Sequence, residues 1–479
     1  MRRVTALPTL SVGLGYRPQF RAELFENRPC VDFLEIIADQ YFDAPPEKLA
    51  ELDLLRAHFP LVPHGLDLSL GSVDGLDEVH VDKFARLIER IDPPWWSEHL
   101  CFTRAGGVAI GHLAALPLTR AALDTVERNV ERLRRKIEAP LILENVTTVV
   151  AVPGAEMDSA EFLSRALERT GCGWLCDVAN LHADAVNHGV DLEAGFPRWP
   201  WERVVQIHFA GGRWRGDVLI DSHDSPTAEA VWALFERVAA VAPVKAAILE
   251  RDEKIPLFTE LLDELERARR ILAAAPPRVD APPIADAERE GRNAVGMSPP
   301  TPNDLMATQN TLARLFTDGG FRETYFDHAG ETSASKDLAA LDRESVALFA
   351  ESLANKRVAD GRKTLPWTAK ALGNDFARLL RPALGGPAPP RRHADDAATV
   401  VARMEKDPTV PTWILDLARY ELGFVAAATP GLVCTAKRLR WPPARLVRAA
   451  QEGGHPGPLK SCFAVWLRWP NGALRHLVF

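Results

Sequence analysis

His64 follows PLVP, Glu98 and His99 end WWSEH, and Glu144 and Asn145 end LILEN. Asp177 ends GWLCD, with Asn180 and His182 close behind. His208 ends VVQIH, Asp221 and His223 lie in IDSHD, and Glu250, Arg251 and Asp252 end AAILERD. Any one of these side chains, taken singly, reads as an ordinary hydrogen-bonded polar residue. A ring of them is different, because imidazoles and carboxylates crowded together without partners are costly. Cations would neutralise the carboxylates and accept the imidazole nitrogens. The set holds His and carboxylate and no Cys thiolate, which suits iron, manganese or zinc. The candidates exceed the needs of a single ion, so two or three ions are expected.

Such a ring needs elements that bring its members to one place. Short apolar runs recur at 31–37, 60–66, 95–102, 141–146, 173–178, 203–210 and 246–250, and the opening SVGLGYR supplies an eighth. Helix-like stretches lie between most of them. TRAALDTVERNVERLRRKIEA is one, with Thr119 as its N-cap and apolar positions at helical spacing. Alternating strand and helix implies a parallel sheet, and eight repeats within residues 1–275 fit a (β/α)8 TIM-type barrel. In that fold the C-terminal strand ends converge on one face, where nearly every run here delivers a His, Asp or Glu. The alternative, an open doubly wound sheet, lacks a GxGxxG after its first strand.

Residues 276–303 are rich in proline and polar residues without periodicity and read as a linker. Beyond it, in residues 304–479, the pattern becomes helical. Val346, Phe349, Ala350 and Leu353 share one helical face, Leu372, Phe376 and Leu379 mark another helix, and Trp413, Leu417 and Tyr420 a third. The chain closes on FAVWLRWPNGALRHLVF, where Asn471-Gly472 between alternating runs signals a β-hairpin. The second domain is thus mainly helical with a small terminal sheet.

The 479 residues carry a formal net charge of −8, with 47% hydrophobic and 25% charged residues, an ordinary core-forming composition. No long Lys/Arg block points to nucleic acid, and no apolar run spans a bilayer. No signal peptide is read at the N-terminus, and the six scattered cysteines resemble neither a disulfide framework nor a zinc ribbon. Reduced core cysteines in a cytoplasmic protein are expected.

The segments GLGYR, SEHL, LENVTT, CDVANLHADAVNHG, QIHFAGG, IDSHDSP and ERDEKIP resemble the multinuclear non-haem iron-dependent oxidative enzymes, a family that includes the oxidase of methanobactin biosynthesis. The resemblance covers roughly residues 10–272. It implies that His64 and His99 hold one iron, that Glu144 bridges to a second completed by Asp177, His208 and Glu250, and that Asn180, Asp221 and His223 make a third, weaker position. It implies two or three irons in mixed Fe(II)/Fe(III) valence, O2 as co-substrate, and a ribosomally made precursor peptide as the molecule oxidised, with cysteine the expected target. Glu144, Asp177 and His208 are the expected catalytic centre. Arg213 and Arg251 are candidates to orient the substrate. The sequence departs from the family at Asp39-Gln40, at Ala179 and at His182, which would be an extra ligand or a donor behind the ligands.

Family members work with a partner protein that presents the peptide. Residues 304–479 resemble such partners around FAESLANKRVADGRKTLPWTAKALGNDFARLL, which implies oxidase and partner fused in one chain. Two other readings compete. One is a zinc phosphoesterase or a sugar isomerase on the same barrel, and the acidic balance and Asn180 count against the first. The other is a non-catalytic scaffold, against which the near-complete ligand set argues.

Overall fold

Runs such as Leu141-Ile142-Leu143 and Ala247-Ile248-Leu249 offer no polar face to water, so they form strands only where both faces are covered. In the computed structural model these runs are fully buried in a closed barrel. The structure describes residues 7–276, 302–327, 338, 340–385, 392–428, 431–470 and 472–479. In chain order the strands are β1 (Ser11–Gly15), β2 (Phe33–Ile37), β3 (Leu61–Gly65), β4 (Trp96–His99), β5 (Cys101–Ala105), β6 (Val108–Ala115), β7 (Leu141–Glu144), β8 (Gly173–Asp177), β9 (Val204–Phe209), β10 (Gly211–Arg215), β11 (Val218–Ser225), β12 (Ala246–Leu249), β13 (Val433–Leu439), β14 (Cys462–Arg468) and β15 (Leu474–Val478).

The barrel closes in the order β1-β12-β9-β8-β7-β4-β3-β2, parallel throughout, and the eight expected runs supply its eight strands. Its lumen is filled by Phe33, Val62, Trp95, Ile142, Leu175, Val205, Ala246 and Ile248, which form a separate apolar cluster. Gly13 makes room for this layer, since a Cβ there would lie 2.7 Å from the Phe33 ring. Strand register then sets the polar residues level: His64 opposite Ser97, His99 opposite Glu144, and Asp177 opposite His208. Thr119 caps the helix Arg120–Arg134 as expected, accepting a hydrogen bond from the Ala122 N–H at 3.2 Å.

Two features escape the alternation of strand and helix. The run at 95–102 is not one strand: it breaks at Leu100 into β4 of the barrel and β5 of an antiparallel hairpin with β6. A second hairpin, β10–β11, leaves the barrel just after β9. Gly211 permits that turn, because a Cβ there would meet the Ser225 carbonyl oxygen at 2.1 Å. Asp221 and His223 therefore sit on a hairpin arm and not at a barrel strand end, a correction to their expected placement.

Residues 302–479 are mainly helical and end in a three-stranded antiparallel sheet, β13-β14-β15. β14 and β15 are the expected hairpin and β13 extends it. Leu372 ends the helix Pro366–Leu372, while Phe376 and Leu379 belong to the next helix, Asp375–Leu380, so the three do not share one element. Gly373, at φ +57°, breaks between them. The first helices of this region pack on the β5–β6 hairpin. Leu312, Phe316 and Phe349 join the barrel's own core cluster. Gln309 donates to the Gly71 carbonyl at 2.7 Å and accepts from the Val73 N–H at 2.9 Å. Most of the linker read at 276–303 and Asn471 of the terminal turn lie outside the described residues. Cys101, Cys172, Cys176 and Cys462 are buried thiols, whereas Cys30 and Cys434 are exposed, not core, because Cys30 ends a short turn with no buried residue and Cys434 falls on the exposed alternation of β13. Among the described residues no helix is long and apolar enough to cross a membrane.

Candidate metal centre

Glu144, the last residue of β7, is buried between two groups of side chains and turns one carboxylate oxygen to each. Its Oε2 lies 3.5 Å from His64 Nε2 and 3.3 Å from His99 Nε2. Its Oε1 lies 3.3 Å from His208 Nδ1, which in turn is 3.2 Å from Glu250 Oε2. His64, His99 and Glu144 converge as one potential ligand group, and Glu144, Asp177, His208 and Glu250 as a second. Two atoms each bonded to one ion at ~2.1 Å stand roughly 3.0–3.4 Å apart at octahedral or tetrahedral angles, close to the spacings found here.

The rings are aimed by what lies behind them. His99 Nδ1 is 3.0 Å from the Gly65 carbonyl oxygen, an acceptor, so that nitrogen carries a proton and Nε2 is the atom turned to Glu144. His64 Nδ1 is 2.8 Å from the Ser97 hydroxyl. His208 is held from the opposite side: its Nε2 is 2.9 Å from Glu35 Oε2, which leaves Nδ1 facing the cluster. Glu35 also accepts from Gln206 Nε2 at 2.7 Å, and Gln206 Oε1 accepts from the Trp95 indole N–H at 2.9 Å. This polar chain lies inside the barrel, directly over its apolar floor.

Several buried atoms of the set have no hydrogen-bond partner, among them Glu144 Oε2, Asp177 Oδ2 and His208 Nδ1. Buried polar atoms are otherwise nearly always satisfied, and these point inward at one another, so cations fit where they point. The electrostatics agree. Burial opposes the charged form of Glu144, but His99, His208 and His64 outweigh it and bring its carboxyl down to about 2. Burial likewise works against protonated His99, yet Glu144, Glu98 and Glu250 raise it to about 9. Asp177 goes the other way, pushed well up by burial and by the neighbouring Asp221 and Glu144 carboxylates. A cation would relieve that repulsion.

Asp221 and His223 stand outside the two converging groups. His223 Nε2 is 2.6 Å from Asp221 Oδ1 on the hairpin arm, and His223 Nδ1 is 3.6 Å from Glu250 Oε2. Asn180 sits in the first turn of the helix Val178–His188, where its N–H donates to Asp177 Oδ1 at 2.8 Å. Asp177 thus caps the helix with one oxygen and aims the other at the cluster. The Asn180 amide oxygen accepts from the Thr147 hydroxyl, and its Nδ2 donates to the Asn145 carbonyl at 3.1 Å. His182, half-buried on the same helix, is not among the converging ligand atoms. Asp39 accepts from the Leu66 N–H at 2.8 Å and faces His80 at 3.1 Å.

Arg213 and Arg251 are not brought to the cluster. Arg213 is exposed and pairs with Asp224 at 3.1 Å, and buried Arg251 pairs with Glu264 at 2.8 Å. Glu35 and Arg17 were invisible to strand-end reasoning, because each lies away from the recurring His and carboxylate positions. The signal for Glu35 was available: an acidic residue inside the apolar strand FLEII must be paired once buried.

A family model described as RiPP precursor modification enzyme MbnB/TglH/ChrH matches residues 11–273. A UPF0276 protein of Caulobacter vibrioides (strain NA1000 / CB15N) is 38% identical over 272 residues, 57% of this chain and 97% of its own. One from Rhizorhabdus wittichii is 39% identical over 260 residues, 54% of this chain and 93% of its own. One from Streptomyces avermitilis is 36% identical over 286 residues, 58% of either chain. Among solved structures, apo 3-keto-D-glucoside 4-epimerase from E. coli aligns at 12% identity and TM-score 0.33, covering 55% of this chain and 99% of its own. A D-tagatose 3-epimerase-like protein aligns at 13% identity and TM-score 0.36, covering 55% and 98%.

Proposed function

Because the chain belongs to the MbnB/TglH/ChrH family of RiPP precursor modification enzymes, we propose that it carries out an iron- and oxygen-dependent oxidation of a cysteine in a ribosomally made precursor peptide. The observation that carries this reading is Glu144, whose two oxygens serve two adjoining groups of buried imidazoles and carboxylates. His64 and His99 would hold one iron with Glu144 as the bridge. Asp177, His208 and Glu250 would hold the second, and Asn180, Asp221 and His223 a third, weaker one. Imidazole and carboxylate without thiolate is a donor set that iron accepts in both common valences.

Bound iron would supply the one-electron chemistry, with O2 as co-substrate. The chain's own residues supply the rest. Gly65, Ser97 and Glu35 fix the three imidazoles so that no reorientation is needed when a cation enters. The apolar layer from Phe33 to Ile248 closes the barrel beneath the site. The buried carboxylates keep the mouth negative and hold protons on His99 and His208 until a cation displaces them.

Residues 304–479 are read as the partner module fused in cis, following the oxidase domain of residues 1–275 and its linker. Packing of the first helices against β5–β6 supports this reading, because it keeps such a module beside the barrel at high effective concentration.

The test is the iron content and Mössbauer spectrum of protein purified without oxygen from iron-supplemented cells. Two or three irons per chain are expected, lost together with peptide oxidation in Glu144→Ala and His208→Ala. Stoichiometric zinc under iron-rich growth would overturn the iron reading, and no bound metal would leave the barrel a scaffold.

A further inference from the structure

The ligands of the first two groups stand on barrel strands or directly behind one, but His223 stands on an arm that has left the barrel. Its φ of +48° is a left-handed conformation that non-glycine residues adopt only when their surroundings impose it. Asp252, three residues past the end of β12, makes contact with it twice. The Asp252 N–H donates to the His223 carbonyl at 2.9 Å, and Asp252 Oδ2 lies 3.3 Å from His223 Nδ1. The other oxygen, Oδ1, accepts from the guanidinium of buried Arg17, which also donates to the Tyr16 carbonyl at 2.8 Å. Arg17 follows β1, the barrel neighbour of β12, so both members of the clamp belong to the barrel. Besides Asp252, the groups facing the His223 ring are Glu250 at Nδ1 and Asp221 at Nε2.

We propose that Asp252, oriented by Arg17, is a positioning residue that sets the His223 ring and so decides whether the third cation is held. With Asp252 Oδ2 as the acceptor beside Nδ1, the ring proton is kept on Nδ1 and the Nε2 lone pair is left to bind a cation together with Asp221. The inference rests on the metal reading above and adds a residue to it.

The chemistry of Asp252→Asn makes the idea sharp. A guanidinium only donates hydrogen bonds, so the new amide must turn its oxygen to Arg17 and its NH2 to His223. His223 Nδ1 then has to accept, the ring proton moves to Nε2, and the ligand atom is blocked. If Arg17 is also replaced by Met, the amide is free to turn its oxygen back to Nδ1.

The experiment loads the full chain with ferrous iron without oxygen, removes free metal by gel filtration, and measures iron per chain, with thermal unfolding as the check on folding. Three irons are expected in the wild type and two in Asp252→Asn, with the Mössbauer signals of the remaining pair unchanged. Arg17→Met/Asp252→Asn should regain the third iron. Asp252→Ser, too short to reach the ring, should also hold two, and serves if the Asn variant does not fold. Three irons in Asp252→Asn or Asp252→Ser, or no recovery in the double variant, would overturn the proposal. A wild type with only two irons would overturn it too while leaving the bridged pair intact, and a wild type with none would instead overturn the metal reading itself.

Discussion

In the second region buried Arg357 and Asp396 face each other across two hydrogen bonds, at 3.0 and 2.6 Å. Glu421 there accepts from the N–H groups of Trp367 and Thr368 and from the Thr368 hydroxyl, and Asp416 accepts from the Arg440 N–H. The barrel mouth also buries carboxylates, yet oxygens of Glu144 and Asp177 have no hydrogen-bond partner. Taking charge out of water is costly in both places. In the helical region the cost is offset inside the chain, and at the barrel mouth it is left for something bound. Burial of charge therefore does not mark a site. Several buried carboxylates and imidazoles with open valences that converge on one place do.

Breaking the paired region should give the largest change in stability. Arg357→Ala strands Asp396 and should cost about 3–5 kcal/mol, read by denaturant unfolding, while iron content stays at the wild-type level. The opposite pattern is expected behind the cluster. Glu35→Gln removes the charge that holds His208 and should weaken iron binding roughly 10–100-fold in a chelator competition, with little change in unfolding.

Asp184 sharpens the comparison as an intermediate case. It is half-buried with one backbone partner, the Thr148 N–H at 2.7 Å, and desolvation raises its carboxyl to about 6 despite that bond and His188. A folded value above the ordinary one means the folded state binds the proton more tightly. Its contribution is then most favourable below about pH 4 and is lost as pH rises through about 6. Asp184→Asn keeps an acceptor for Thr148 and should gain on the order of 1–2 kcal/mol at pH 7.5 and nothing at pH 4, by unfolding at the two pH values.

The barrel was legible because each strand is an apolar run bounded by turn residues and ends in a polar side chain, as in LILE and GWLCD. A ring made of such ends follows from topology alone. What failed to show were contacts set by irregular backbone. The β10–β11 arm depends on one close approach at Gly211, which has no periodicity, so Asp221 and His223 read as another strand end. The break at Leu100 was hidden for a similar reason, since β4 and β5 are both apolar and nearly continuous. Glu35 and Arg17 act through partners distant in sequence, His208 and Asp252, and no spacing rule connects them.

Leu312, Phe316 and Phe349 complete a core that begins at the β5–β6 hairpin. Synthesis runs in the other order. At about 5–20 residues per second, the ribosome finishes the last barrel strand roughly 5–21 s before residue 353 is added. Through that interval the nascent barrel carries a bare apolar flank beside a mouth full of unpaired charge, a surface that invites chaperones or neighbouring chains. A stop codon after residue 276 would make the interval permanent.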